Sequence, residues 1–149
     1  MTLTAAVVKS AGVASNANIV TYTGSDPAAN TEFSETVPAG KMWRIQSIRA
    51  TLVTDANVAN RQVSITLTDG TNTFFKSSST SVQAASLTHG YTFADLPGVV
   101  VASAALEHQV PVPPFLLPPG TVIASVTTAK QATDNWGAPV FCVEEFAAQ

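Results

Sequence analysis

From Arg61 to Thr68 the chain alternates without interruption: Val63, Ile65 and Leu67 project to one side, and Gln62, Ser64, Thr66 and Thr68 to the other. A period of two sets one side of a strand on a core and leaves the other in water, so this stretch reads as a half-buried β-strand. The stretch before it, Lys41 to Val53, holds Trp43 and Ile45 in one phase and Ile48, Ala50 and Leu52 in the opposite phase. Both sets reach one face only if an extra residue is inserted, which predicts a β-bulge or bend near Gln46 and Ser47. Asp69-Gly70 suits the positive φ angles of a two-residue type I′ turn, so Thr71 to Lys76 is expected to return antiparallel as a hairpin.

Shorter pieces continue the pattern. Glu32 to Val37, Tyr91 to Phe93, Val99 to Ala102, Thr121 to Thr127 and Pro139 to Phe146 read as strands between Gly, Pro and Asp turns. Pro38-Ala39-Gly40 and Pro118-Pro119-Gly120 open the two strongest strands and are expected at equivalent corners. Thr54 to Asn60 is a loop by its Asn and Asp content, and Ser77 to Gly90 is a long polar connection. Ala104, Ala105, Leu106 and Glu107 are helix formers, so one or two helical turns are expected over Ser103 to Gln109. The run Pro111 to Gly120 carries five prolines. Proline donates no N–H, so the run is confined to a sheet edge or an extended polyproline-like path.

No long amphipathic helix is in view, and 149 residues suit one domain. The fold class expected is therefore all-β: a single jelly-roll or Greek-key β-sandwich of about eight antiparallel strands over residues 21–149. An extended N-terminal arm is expected over residues 1–20, which are small, apolar and weakly patterned; an edge strand of the same sheet is the alternative.

Composition narrows the class of function. The chain is 46% hydrophobic and only 11% charged, where an ordinary soluble domain has about 25% charged residues. A surface so poor in charge points to burial against partners, with a Thr- and Ser-rich polar surface as the plainer reading. Net charge is −3, and the seven basic residues Lys9, Lys41, Arg44, Arg49, Arg61, Lys76 and Lys130 are scattered. A phosphate-tracking stripe is missing from such a distribution, so no nucleic-acid partner is expected. No apolar run approaches the roughly 20 residues of a spanning helix, so no membrane association is expected. Cys142 stands alone, which leaves no intrachain disulfide and suits a reducing cytoplasm. The first residues lack a basic leader region, and Lys9 interrupts their apolar run, so no secretory cleavage is expected.

Candidate chemistry is sparse. Glu144 and Glu145 are adjacent and face opposite sides of a strand, so they form no general acid/base pair. His89 and His108 fall in different connections, without metal-ligand spacing. Asp55, Asp69, Asp95 and Asp134 sit in turns, where Asp bonds to its own backbone. Cys142 reads as a small core residue. No nucleophile elbow, phosphate-binding loop or dinucleotide fingerprint occurs, so the expectation is a non-enzyme with no catalytic residues, cofactor, metal or small-molecule substrate. Trp43, in phase with Ile45, belongs to the core. Trp136, in Asp134-Asn135-Trp136-Gly137, either plugs the end of the sandwich or meets a partner.

Two stretches carry a resemblance: VPAGKMWRIQSIRATLVTDANVANRQVSITLTDG and, far downstream, LPPGTVIASVTTAKQATDNWGAPVFCVEEF. They resemble small virion structural proteins of tailed bacteriophages over about Thr36 to Lys76 and Leu117 to Phe146. The resemblance implies a jelly-roll-like fold and a place in the virus particle. Weak charge and apolar edges favour, within that family, a head decoration (cement) protein. Its expected partners are the major capsid protein and its own copies, as a homotrimer on the capsid surface of a virion assembled in the host cytoplasm. The residues expected at that interface are Leu3, Val7, Val8 and Val13 of the arm, Phe115, Leu116 and Leu117 of the proline-rich run, and Trp136. The alternative is a tail, baseplate or fibre component that binds host glycan through Trp136 and the Ser77 to Gly90 connection.

Overall fold

The computed structural model describes the backbone of Thr2–Leu3 and residues 17–95 and 106–148. Among these residues there are twelve strands and no helix: β1 (Thr2–Leu3), β2 (Asn18–Thr23), β3 (Ser34–Thr36), β4 (Lys41–Val53), β5 (Gln62–Thr68), β6 (Thr73–Ser78), β7 (Thr88–Ala94), β8 (Glu107–Pro111), β9 (Leu116–Leu117), β10 (Val122–Thr128), β11 (Asn135–Trp136) and β12 (Val140–Ala147). One sheet runs β1-β2-β12-β4-β7-β8, with β9 and β11 also paired to β4; the other runs β3-β10-β5-β6. The inner faces of the two sheets meet in one core, so the chain is an all-β sandwich.

Alternation decides which side chains enter that core. Val63, Ile65 and Leu67 of β5 are completely buried, and burial of each is worth about 1.5–3 kcal/mol. In β4 the phase change falls at the expected place. Val143 of β12 pairs with Ile45 and Cys142 with Ser47, so Gln46 is the extra residue. This one-residue bulge lets Trp43 and Ile45 share a face with Ile48, Ala50 and Leu52, all of them buried.

The two Pro-x-Gly turns lie side by side. Lys41 N–H donates to Pro38 O and Thr121 N–H to Pro118 O, while Val37 and the second turn bond in both directions. Gly40 and Gly120 have φ of 74° and 84° at the third turn position, where a type II turn requires positive φ.

Four expectations are corrected. The β5–β6 connection is a four-residue loop over 69–72, because the Asp69 carboxylate accepts the N–H groups of Thr71 and Asn72 and closes a wider turn than type I′. Residues 107–109 are strand, not helix, since β8 pairs with β7 and draws its backbone bonds from that edge. That pairing is parallel, where antiparallel strands alone were expected. Cys142 is half-buried on the outer face, because the inner positions of β12 belong to Phe141, Val143 and Glu145.

At the N-terminal side, β2 begins at Asn18, so residues 18–20 of the expected arm pair with β12. The backbone of Leu3 pairs with Tyr22. Val7, Val8 and Val13 lie outside the described residues, as does the strand expected over Val99 to Ala102.

Candidate functional site

Both tryptophans are turned inward and held by carboxylates. Trp43 Nε1–H donates to Glu145 Oε2 at 3.0 Å, and the same oxygen accepts from the Tyr22 hydroxyl. Lys41 Nζ lies 2.8 Å from Glu145 Oε1. Trp136 repeats the device: Nε1–H donates to Glu32 Oε2 at 3.0 Å. Ser125 Oγ and the Thr127 backbone N–H and hydroxyl also donate to Glu32, and Lys130 Nζ lies 2.8 Å away. This cradle explains why the inward face of β10 carries Ser125 and Thr127 beside Ile123. Burial pushes Glu32 up, but the hydrogen bonds from Lys130, Ser125 and Thr127 outweigh it and hold the carboxyl below its ordinary value. Glu145 is likewise pushed up by burial and held lower on balance by Lys41, Tyr22 and Trp43.

A third cluster lies at one rim. Arg61 is fully buried, and all five of its N–H groups are used. Nε and one Nη donate to the two oxygens of Asp134, both at 2.9 Å; that Nη also reaches Asp55 at 2.7 Å, and the other Nη donates to Asn57 O and Ala59 O. The guanidinium thus ties the loop after β4 to the loop after β10. Its chemistry is that of a structural clamp, since no donor is left for a ligand.

Contact chemistry is left to the open edge beside β6. Phe75 of β6 pairs with Leu67 and Thr73 with Thr68, so Phe74 is a bulged, unpaired residue. It points to solvent, 49% exposed, beside Phe115 at 39% and Leu116 at 45%. The Phe115 ring stands edge-on to both Phe74 and Phe75, with centroids 6.4 and 5.3 Å apart. Two exposed phenylalanines therefore form one apolar surface at an edge strand of the second sheet, and Leu116 is exposed on the face of β9 opposite the buried Leu117.

Of the residues expected at an interface, Phe115 is on this surface and Leu116 is exposed beside Arg44 of β4. Leu117 and Trp136 are buried. Leu117 is 1% exposed and Trp136 0%. In β9, Leu117 turns onto the core opposite Trp43, and Trp136 packs edge-on against Phe33 and Tyr91 while its N–H is consumed by Glu32. Neither can meet a partner or a sugar ring. Phe74 was missed because the bulge that exposes it leaves no mark in the alternation.

The histidines, distant in sequence, meet in space. Parallel pairing sets His108 beside Tyr91, and His89 Nδ1 lies 2.8 Å from His108 Nε2. His108 Nδ1 lies 3.0 Å from Ser81 Oγ. Among the described residues, no three His, Cys, Asp or Glu side chains converge as a metal site, and no helix is long and apolar enough to cross a membrane. Comparison with family models, with curated protein sequences and with solved structures gives no match.

Proposed function

We propose that this chain is a non-enzymatic virion structural protein, a capsid decoration (cement) protein that binds across major capsid protein subunits as a homotrimer and stabilises the head. The observation that carries this reading is the exposed aromatic surface of Phe74 and Phe115, with Leu116 exposed at the next position. The low charge of the chain and the resemblance of two of its stretches, about Thr36 to Lys76 and Leu117 to Phe146, to tailed-phage structural proteins support it. Docking there removes apolar surface from water, at a gross gain of about 25 kcal/mol per 1,000 Å² before the costs of ordering. Repeated over many copies, the remainder raises the resistance of a shell to internal pressure. The interface contains few charges to screen, so attachment depends only weakly on salt.

The test is reconstitution. Purified protein is mixed with undecorated heads and co-sedimentation is measured, with the oligomeric state followed in parallel. A trimer that co-sediments and raises the temperature at which heads rupture supports the reading. A monomer that leaves heads bare overturns it. Glycan binding through Trp136 has lost its basis, because the indole is enclosed.

A further inference from the structure

We infer that the outer edge of β6 takes an extended, acidic segment of the major capsid protein as an added strand; this rests on the decoration reading and names how the surface of Phe74 and Phe115 is engaged. β6 ends the second sheet, with β5 on one side and no strand on the other. The parity of its ladder shows which backbone groups are spare. Ser79 N–H donates to Val63 O, directly opposite, and hydrogen-bonded pairs recur at every second position of an antiparallel ladder, here at Ile65 with Ser77 and Leu67 with Phe75. Lys76 and Ser78 therefore turn N–H and C=O away from β5. Among the described residues, no backbone group bonds to them from that side.

Two features guard this edge against indiscriminate pairing. The bulge at Phe74 ends the regular ladder, which confines an added strand to Lys76–Ser78 and sets it beside the aromatic rings. Lys76 is the only charged residue of β6 and is exposed, as are Phe74 and Ser78 on the same face. Among the described residues, no ion pair includes it.

That charge selects the occupant. A second copy of β6, laid antiparallel, would set two Lys76 side chains on one face of the same pair of strands with no carboxylate in either, and like charges across a ladder are unfavourable. A strand with Asp or Glu beside Lys76 removes that cost and gains a cross-strand pair. Two residues along the same face, an apolar side chain reaches the rings of Phe74 and Phe115. The occupant is thus an extended segment with an acidic and an apolar residue two positions apart. Main-chain bonds to Lys76 and Ser78 supply affinity, and the lysine and the rings supply selection.

The experiment is co-sedimentation of the full chain with undecorated heads, for the native protein, Lys76→Gln and Lys76→Pro. Glutamine removes the charge and keeps the N–H. Proline also removes the outward N–H, which the ladder to β5 does not use, so both variants are expected to fold. Native protein is expected to attach, Lys76→Gln less well, and Lys76→Pro at least tenfold less well than Lys76→Gln. Equal attachment of the two variants overturns the added strand and leaves decoration standing by another mode; failure of the native protein to attach overturns both. If Lys76→Pro does not fold, single-amide hydrogen exchange on the native protein, free and head-bound, decides. Phe75 and Ser77 amides are expected to be protected in both states, and Lys76 and Ser78 amides only on heads. Equally fast exchange of Lys76 and Ser78 in both states overturns the inference.

Discussion

Trp136 Nε1–H donates to Glu32 Oε2 at 3.0 Å, which joins β11 of the first sheet to the segment that leads into β3 of the second. A tryptophan that looks available in sequence is thereby enclosed. Trp43 and Glu145 repeat the arrangement, at the same distance, at the other end of β4. With both indoles turned inward, the aromatic surface left for contact is that of Phe74 and Phe115.

Trp136→Phe keeps an aromatic ring, removes the donor and leaves a cavity where the rest of the indole was buried. Glu32 retains Ser125, Thr127 and Lys130, so the expected loss, lost bond and cavity together, is about 2–4 kcal/mol in urea unfolding. Attachment to heads is expected to be unchanged. Loss of attachment at unaltered stability would return Trp136 to the interface.

Acid should destabilise the sandwich through Glu32, Glu145 and Asp134, whose carboxyls all lie below their ordinary values in the folded chain. For such groups the unfolded chain binds protons first as pH falls. Their stabilisation is fully present above the ordinary carboxylate range, about pH 4, and is lost as pH falls through the folded values. Unfolding free energy measured from pH 6 to pH 2 is expected to drop most steeply below pH 4. A flat profile there would contradict the cradles.

Arg61→Met leaves the buried Asp134 carboxylate without its cation, and a loss of about 3–5 kcal/mol is expected. Arg61→Lys should recover little of it, because an ammonium has three donors in place of a five-donor fork. Denaturant midpoints of the two variants check this; full recovery by Lys would show that charge alone matters.

Phe74→Ser with Phe115→Ser removes the aromatic part of the exposed surface. Stability is expected to stay within about 1 kcal/mol, since both rings are substantially solvent-exposed. Co-sedimentation with heads should fall at least tenfold. Undiminished attachment would place the interface elsewhere.

Gly90→Ala probes a close approach. An added Cβ would stand 2.3 Å from Glu107 Oε2, the mobile end of a flexible side chain. Glu107 can swing away and give up its exposed pair with Arg49, which is worth at most about 1 kcal/mol. A small drop in melting temperature is expected, and a collapse of folding would show that the carboxylate has no room to move.

What the sequence disclosed was local periodicity. The core face of β5 and the phase change at Gln46 were legible because each follows from side chains within one strand; the other face of β5 was not, since Ser64 and Thr66, expected in water, are buried as well. The proline-rich run was legible as an edge for the same reason: a missing N–H is a local fact. The turn at Asp69 was misread, since the capping reach of its carboxylate competes with the dipeptide preference. The sequence does not show which way Trp136 faces, because Glu32, which binds its N–H, is over a hundred residues away. The His89–His108 contact depends on a parallel pairing of β7 with β8, and neither strand carries a pattern that names its partner.

The most direct test of decoration is imaging of intact particles at a resolution that locates this chain. Decoration requires its density over the whole icosahedral shell, with Phe74 and Phe115 facing major capsid protein. Density confined to neck, tail or fibres, or shell density with that surface turned to solvent, would contradict it.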